Sequence, residues 1–143
     1  MFLGTYSPRL DDKGRLAFPA KYREELAEGV VIVPGQEHCL FVFPRSEFAG
    51  RFATLIGAPV GSRKSREASR MVASAAHDDV PDKQGRVTVP AHLRRYADLD
   101  REVTVVGALS RLEIWNAPAW ETYRASKEDD YAEFDEGVLD DLF

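Results

Sequence analysis

The chain has 143 residues, 19 Lys plus Arg against 24 Asp plus Glu, 44% apolar residues and 10% aromatics, the composition of an ordinary globular protein. That length leaves room for one domain or two small interlocked ones and excludes a large enzyme with separate cofactor and substrate domains. The single cysteine excludes an internal disulfide, and the longest apolar run, Cys39 to Phe43, is too short to span a bilayer.

A cytoplasmic location is expected, because the first fifteen residues include Arg9, Asp11 and Asp12 and hold no long apolar stretch of a secretory leader. The formal charge of −5 is unevenly spread. Residues 121–143 hold nine acids and two bases, whereas the other 120 residues hold 17 bases and 15 acids. The body is therefore mildly basic and the acidity belongs to the tail, so a local basic face toward nucleic acid is permitted.

In chain order, an N-terminal strand leads into Asp11-Asp12-Lys13-Gly14, which places Asp at the first position of a type I turn and Gly at the fourth. A left-handed residue there lets a β-hairpin close through a bulge. The strand leaving this tip alternates, so Leu16 and Phe18 face the core while Arg15 and Ala17 face out. Pro19 suits the first position of a short capping helix, in which Tyr22 and Leu26 share a face. Two apolar strands follow, Val30–Val33 and Leu40–Phe43, joined by a turn over Gly35–Cys39. The stretch from Pro59 opens with Gly, Pro and Ser and continues as SREASRMVASAA, which predicts a linker and then a helix. Arg63, Lys64, Arg66 and Arg70 there read as a solvated face.

The same unit is then written again. LDDKGRLAFPA (Leu10–Ala20) aligns with PDKQGRVTVPA (Pro81–Ala91), with identities at Asp11/Asp82, Gly14/Gly85, Arg15/Arg86, Pro19/Pro90 and Ala20/Ala91, and beyond them at Arg23/Arg94. The second copy predicts a tip at Asp82-Lys83-Gln84-Gly85, Val87 and Val89 facing in, and Arg86 and Thr88 facing out. A capping helix over AHLRRYA and strands Val103–Val106 and Leu112–Trp115, joined by a turn over Gly107–Arg111, complete it. The organisation expected is residues 1–54 as a first repeat, 55–74 as linker and helix, 75–123 as a second repeat and 124–143 as an acidic tail. A unit of about 50 residues cannot bury much core alone. The two copies are therefore expected to interdigitate their hairpins into one barrel, mainly β with short helices in an α+β chain. Phe43, Phe48, Trp115 and Trp120 recur at equivalent positions and read as core.

No catalytic constellation is present in this pattern. His38, His77 and His92 are scattered, Cys39 reads as a buried apolar residue, and Asp11/Asp12 and Asp78/Asp79 precede the tips. No metal-ligand spacing or phosphate-cradling loop is found. The chain is read as no enzyme, without catalytic residues, metal or cofactor.

The N-terminal MFLGTYSPRLDDKGRLAFPAKYR, the second DKQGRVTVPAHLRRYADL and the later VVGALSRLEIWNAPAW closely resemble the MraZ family of bacterial transcriptional regulators, associated with the division and cell-wall gene cluster. The resemblance covers about residues 1–123 and rests on the doubled Asp-x-x-x-Arg motif, Asp11–Arg15 and Asp82–Arg86. It implies an AbrB-like swapped-hairpin fold of two tandem units. It further implies a nucleoid-associated regulator, a repressor by expectation, that binds short G-rich boxes repeated in promoter DNA as ring-shaped homo-oligomers, with Arg15 and Arg86 as the chief contacts.

The chemistry of the residues is consistent with that implication. A two-stranded β-ribbon fits the major groove, where an arginine can donate two hydrogen bonds to guanine O6 and N7. Lys13, Lys83 and Arg9 are candidates for phosphate contacts, and Gln84 for a base edge or a phosphate. Asp11 and Asp82, as anions, are assigned with Gly14 and Gly85 to forming the turns and orienting the arginines. One arginine per tip specifies little sequence, so affinity is expected from avidity across direct repeats. The alternative is an AbrB-like antitoxin or protein-interaction module acting through the tail, whose acids alternate with Tyr131, Phe134, Val138, Leu139, Leu142 and Phe143. The tail reads either as a solvated end or as a charge mimic that docks on a basic face of its own or a neighbouring subunit.

Overall fold

In the computed structural model, which describes residues 1–135 and 137, the first unit runs β1 (Thr5–Tyr6), β2 (Arg15–Ala17), α1 (Arg23–Leu26), β3 (Val30–Pro34) and β4 (Leu40–Pro44). Helices α2 (Arg45–Arg51), α3 (Ala53–Ile56) and α4 (Arg63–Ala75) connect it to the second unit. That unit runs β5 (His77–Asp79), β6 (Arg86–Thr88), α5 (Ala91–Tyr96), β7 (Val103–Gly107) and β8 (Leu112–Asn116), followed by α6 (Ala117–Ala132).

The strands pair across the duplication. The β3–β4 hairpin of the first unit and the β7–β8 hairpin of the second join through β4 and β8. Each hairpin then takes its outer partner from the other unit: β1 adds to β7, and β5 adds to β3, giving a six-stranded antiparallel sheet in the order β1-β7-β8-β4-β3-β5. The remaining two strands, β2 and β6, pair only with each other as a separate antiparallel ribbon. The fold is thus α+β, an antiparallel sheet with short helices, and the expected closed barrel does not form among the described residues. A physical reason is visible in the sequence. Pro19 and Pro90 follow β2 and β6 by two residues and have no N–H to offer a ladder, so the ribbon stops after three residue pairs.

Alternation decides which side of the sheet each residue serves. Val30 and Ile32 of β3, Leu40 and Val42 of β4, Val103 and Val105 of β7 and Leu112 and Ile114 of β8 point to one face. There they meet Leu16, Phe18, Val87 and Val89 from the ribbon region and Leu26 and Leu93 from α1 and α5. Each of these side chains is essentially removed from water, which contributes roughly 1.5–3 kcal/mol apiece before entropy is counted. The opposite face carries two smaller clusters. Val31, Val33 and Phe43 lie under Phe48, Phe52 and Val72, while Val106 and Trp115 lie under Trp120 and Tyr123. The four recurring aromatics therefore cover the outer face of the sheet rather than its ribbon side.

Three elements were not legible as such in the sequence: α2, α3 and the edge strand β5. Helix α6 also runs into the segment expected as an acidic tail, as far as Ala132. Asn116 caps this helix by accepting a hydrogen bond from the Ala119 N–H at 2.9 Å, Pro118 occupies its first turn, and Arg124 bridges Glu121 and Glu128 along one side. The tail residues Glu136 and Val138 to Phe143 lie outside the described residues. No helix among those described is long and apolar enough to cross a membrane.

Candidate nucleic-acid interface

Both Asp-x-x-x-Arg segments build the same local structure. In the first, the Gly14 N–H donates to the Asp11 carbonyl at 3.0 Å and the Asp11 N–H donates to the Arg15 carbonyl at 3.0 Å, closing a tight turn. In the second, Gly85 to Asp82 at 2.9 Å and Asp82 to Arg86 at 3.0 Å do the same. Gly14 and Gly85 sit at φ values of +74° and +73°, a left-handed conformation that L side chains rarely adopt.

The aspartate organises each turn from inside. Asp11 Oδ1 accepts from the Lys13 and Arg15 backbone N–H groups at 2.9 and 2.8 Å, and its Oδ2 accepts from Arg15 Nε at 2.6 Å. Asp82 repeats the set with the Gln84 and Arg86 N–H groups, both at 2.9 Å, and with Arg86 Nε at 2.8 Å. The Arg15 and Arg86 backbone bonds, and then the arginine side chains, hold each carboxyl below the usual aspartate range. Because each aspartate engages Nε, the terminal Nη1–Nη2 edge of each guanidinium has no protein partner among the described residues. That edge is the one that can donate two parallel hydrogen bonds to a planar acceptor pair.

Pairing of β2 with β6 brings the two arginines together. Arg15 lies opposite Thr88 and Arg86 opposite Ala17, while Leu16 and Val87 turn to the core between them. Arg15 and Arg86 are therefore diagonal neighbours on the outer face of one ribbon, a relation that separates Cα atoms by about 7–8 Å. The sequence suggests two separate tips; the structure merges them into a single surface.

The other predicted contact residues distribute less evenly. Lys13, Lys83 and Gln84 are exposed on the two turns. Asp12, beside Lys13, is matched by Arg101 at 2.8 Å. Arg9 instead pairs with Glu102 at 3.0 Å, in an isolated bridge between the two segments, so its charge is already answered within the chain.

Arg23 and Arg94, matched between the two copies, cover the two turns. The Arg94 guanidinium, reaching across from α5, lies directly against the Gly14 α-carbon and donates to the Val89 carbonyl at 2.6 Å. Arg23, from α1, lies over Gly85, its Nε 2.7 Å from where a Cβ would stand. Each turn is thus covered by the helix of the opposite unit. The Val89 N–H donates to the Gly14 carbonyl at 2.8 Å and the Phe18 N–H to the Gly85 carbonyl at 3.2 Å, which ties the two turns to each other's strands. The repeat alignment carried the signal, since an arginine conserved between the two copies at a non-core helix position needs a shared partner. Among the described residues no group of three His, Cys, Asp or Glu is placed to hold a metal ion.

A family profile described as "MraZ protein, putative antitoxin-like" matches the chain twice, over residues 1–71 and 72–141. The chain is 58% identical over 142 residues to the transcriptional regulator MraZ of Salinispora arenicola, covering 99% of this chain and 100% of that one. It is 56% identical over 143 residues to the protein of the same name in Micrococcus luteus, covering all of both. The corresponding protein of Thermobifida fusca is 53% identical over 139 residues, 97% of each chain.

Proposed function

From the premise that the chain belongs to the MraZ family, we propose that it is a DNA-binding transcriptional regulator that reads promoter DNA with the outer face of the β2–β6 ribbon. The observation that carries this reading is the placement of Arg15 and Arg86 on one ribbon face, each held through Nε by its own aspartate with the outer guanidinium edge open. Membership places the chain among regulators rather than enzymes. We read the crossed pairing of the two units as the AbrB-like swapped-hairpin arrangement, now contained within one chain.

The ribbon enters the major groove and each arginine pairs with one guanine, supplying about 1–3 kcal/mol of discrimination per good bidentate contact. Lys13 and Lys83 meet phosphates, and Gln84 a phosphate or base edge. Because Asp11 and Asp82 offset the arginine charges, one subunit neutralises only about two phosphates, and its binding constant falls with a log–log salt slope of about −2. That is too little for tight binding alone. Several linked subunits on G-rich direct repeats raise the effective concentration and supply the affinity, which makes homo-oligomerisation part of the mechanism. The regulated target is the division and cell-wall gene cluster, by repression. The doubled motif favours this reading over an antitoxin that works through its tail, because a second ribbon arginine adds nothing to such a tail.

Fluorescence anisotropy with DNA from upstream of its own gene, against a scrambled probe and at two salt concentrations, tests the reading. Arg15→Ala and Arg86→Ala are each expected to weaken one-box binding by about 5- to 150-fold, and the double variant to erase the preference over the scrambled probe. Equal binding of both probes by wild type and the double variant overturns it.

A further inference from the structure

Helix α6 leaves the body partway along its length. Trp120 and Tyr123 pack on Trp115, with ring centroids 5.2 and 5.0 Å away, but every residue from Arg124 to Asp135 is exposed. At about 1.5 Å per residue, Arg124–Ala132 forms an arm roughly 13 Å long with no packed face. A helix of this kind gains little from propensity alone, and surface ion pairs such as those of Arg124 add a few tenths of a kcal/mol. Polar all round along its shaft, it fits the class of helices that bridge one body to another. Its end is not polar. Tyr131 and Phe134 are 54% and 46% exposed and lie against each other at 5.6 Å, among Glu128, Asp129, Asp130, Glu133 and Asp135.

A complementary surface exists on the outer side of the sheet. There α2, α3 and α4 leave an open apolar groove of about 380 Å³, lined by Phe48, Phe52, Leu55, Ile56, Val72 and Ala73. Ile56 is 70% exposed beside it. Arg66 and Arg70 of α4 border the same Leu55–Ile56 edge, and Arg70 has no carboxylate partner among the described residues. The groove overlies Val31, Val33 and Phe43, whereas the neighbouring Val30 and Ile32 face the ribbon side, so it lies opposite the proposed DNA-reading surface.

We propose that the C-terminal arm of one copy seats in this groove of a second copy, with Tyr131 and Phe134 in the apolar channel and the flanking acids against Arg66 and Arg70. The arm residues from Arg124 to Asp135 are all exposed rather than packed on their own body, and the proposal seats them in the groove of a neighbour. The contact is head to tail, and each chain keeps a free arm or groove for the next copy. This deepens the proposed self-association, on which it rests, and leaves the ribbon open to DNA.

Charge reversal in trans tests it. An arm variant, Asp129→Lys/Asp130→Lys/Glu133→Lys, alters exposed residues only, and a groove variant, Arg66→Glu/Arg70→Glu, alters exposed Arg70 and half-buried Arg66, whose guanidinium donates to the Val60 carbonyl at 2.9 Å; each should show a lower mass than wild type by light scattering. Mixing the two variants should restore the assembly, because each supplies the complement of the other. In parallel, Ile56→Cys and Phe134→Cys chains, mixed under oxidising conditions, should form an intermolecular disulfide, with the buried Cys39 silent. A wild-type mass in either variant, a mixture that fails to reassemble, or a disulfide that closes only within a chain carrying both substitutions overturns the proposal. One-box DNA binding should be unchanged in both charge variants; a wild-type chain that is monomeric yet reads one box overturns this contact while leaving the ribbon reading intact.

Discussion

The unequal covers over the two turns lead to a quantitative prediction for Gly14→Ala and Gly85→Ala. Both glycines sit at nearly the same φ, +74° and +73°, so an alanine at either incurs the same left-handed backbone cost of about 1–2 kcal/mol. Their surroundings differ. A Cβ at Gly14 overlaps the Arg94 guanidinium, which is fixed by its bond to the Val89 carbonyl at 2.6 Å. Displacing it forfeits a charged hydrogen bond of about 1.5–3 kcal/mol. At Gly85 the Cβ meets the Nε, Cδ and Cγ of Arg23 at 2.7–3.1 Å, but Arg23 is exposed, makes no side-chain hydrogen bond among the described residues and can swing aside. Gly14→Ala is therefore expected to destabilise by about 2.5–5 kcal/mol and Gly85→Ala by about 1–2 kcal/mol. Urea unfolding followed by the fluorescence of buried Trp115 reads both. The decisive arm is the cycle with Arg94→Ala: in that background Gly14→Ala should cost only the backbone part. Equal costs at the two glycines, or no coupling between Gly14 and Arg94, would falsify the account of how α5 holds the first turn.

Two further outcomes follow from the same geometry. Asp11 and Asp82 are lowered in the folded chain, so the stability they add is present above their unfolded values and is lost as pH falls through the folded ones. The turns should withstand acid through the ordinary aspartate range and open below it; an Asp11→Asn/Asp82→Asn chain should be less stable near neutrality, with the gap closing at strongly acid pH, and a gap constant with pH refutes the linkage. Cys39 is 1% exposed, and burial pushes its thiol well above the ordinary cysteine range. A thiol reagent should leave it unmodified in the native chain and react at the rate of unfolding, so stoichiometric modification under native conditions counts against its placement.

Legibility tracked the range of the interaction. Turn chemistry is local, and Asp at one position with Gly three later was enough to locate both turns and the facing of Leu16, Phe18, Val87 and Val89. The β3–β4 and β7–β8 hairpins were legible for the same reason. What pairs with what is not local: nothing between Arg15 and Ala17 says that the partner is β6, 70 residues away, and an alternating strand is equally content against its own unit. The edge strand β5, His-Asp-Asp, has no apolar alternation to find. Helix α6 was obscured by its acids, which read as a solvated tail; its Asn116 cap and Pro118 were the available signals. At the site, the residue types were visible and their convergence on one face was not, because that depends on the register of two distant strands.

The register also constrains what the ribbon could read under the proposed function. If Arg15 and Arg86 acted as separate tips, each box would meet one arginine and the spacing between contacts would be set by a flexible linker. On one ribbon, tied by the Gly14–Val89 and Gly85–Phe18 bonds, the Cα atoms of the two arginines stand at a fixed diagonal of about 7–8 Å. Successive bases on a strand rise about 3.4 Å, so this diagonal spans about two steps. On the proposed reading, the two arginines of a ribbon of this width question two bases of one short box. On that reading, duplication within the chain would fix two contacts at constant spacing in a single box, and anything longer would come from how copies are set beside one another. The same division explains why each aspartate is spent on its own arginine: the pairing weakens the charge available for non-specific attraction to phosphate and fixes the donor geometry. For the proposed DNA contact, that exchange would favour selectivity within a weak unit, with affinity supplied by the self-association proposed above.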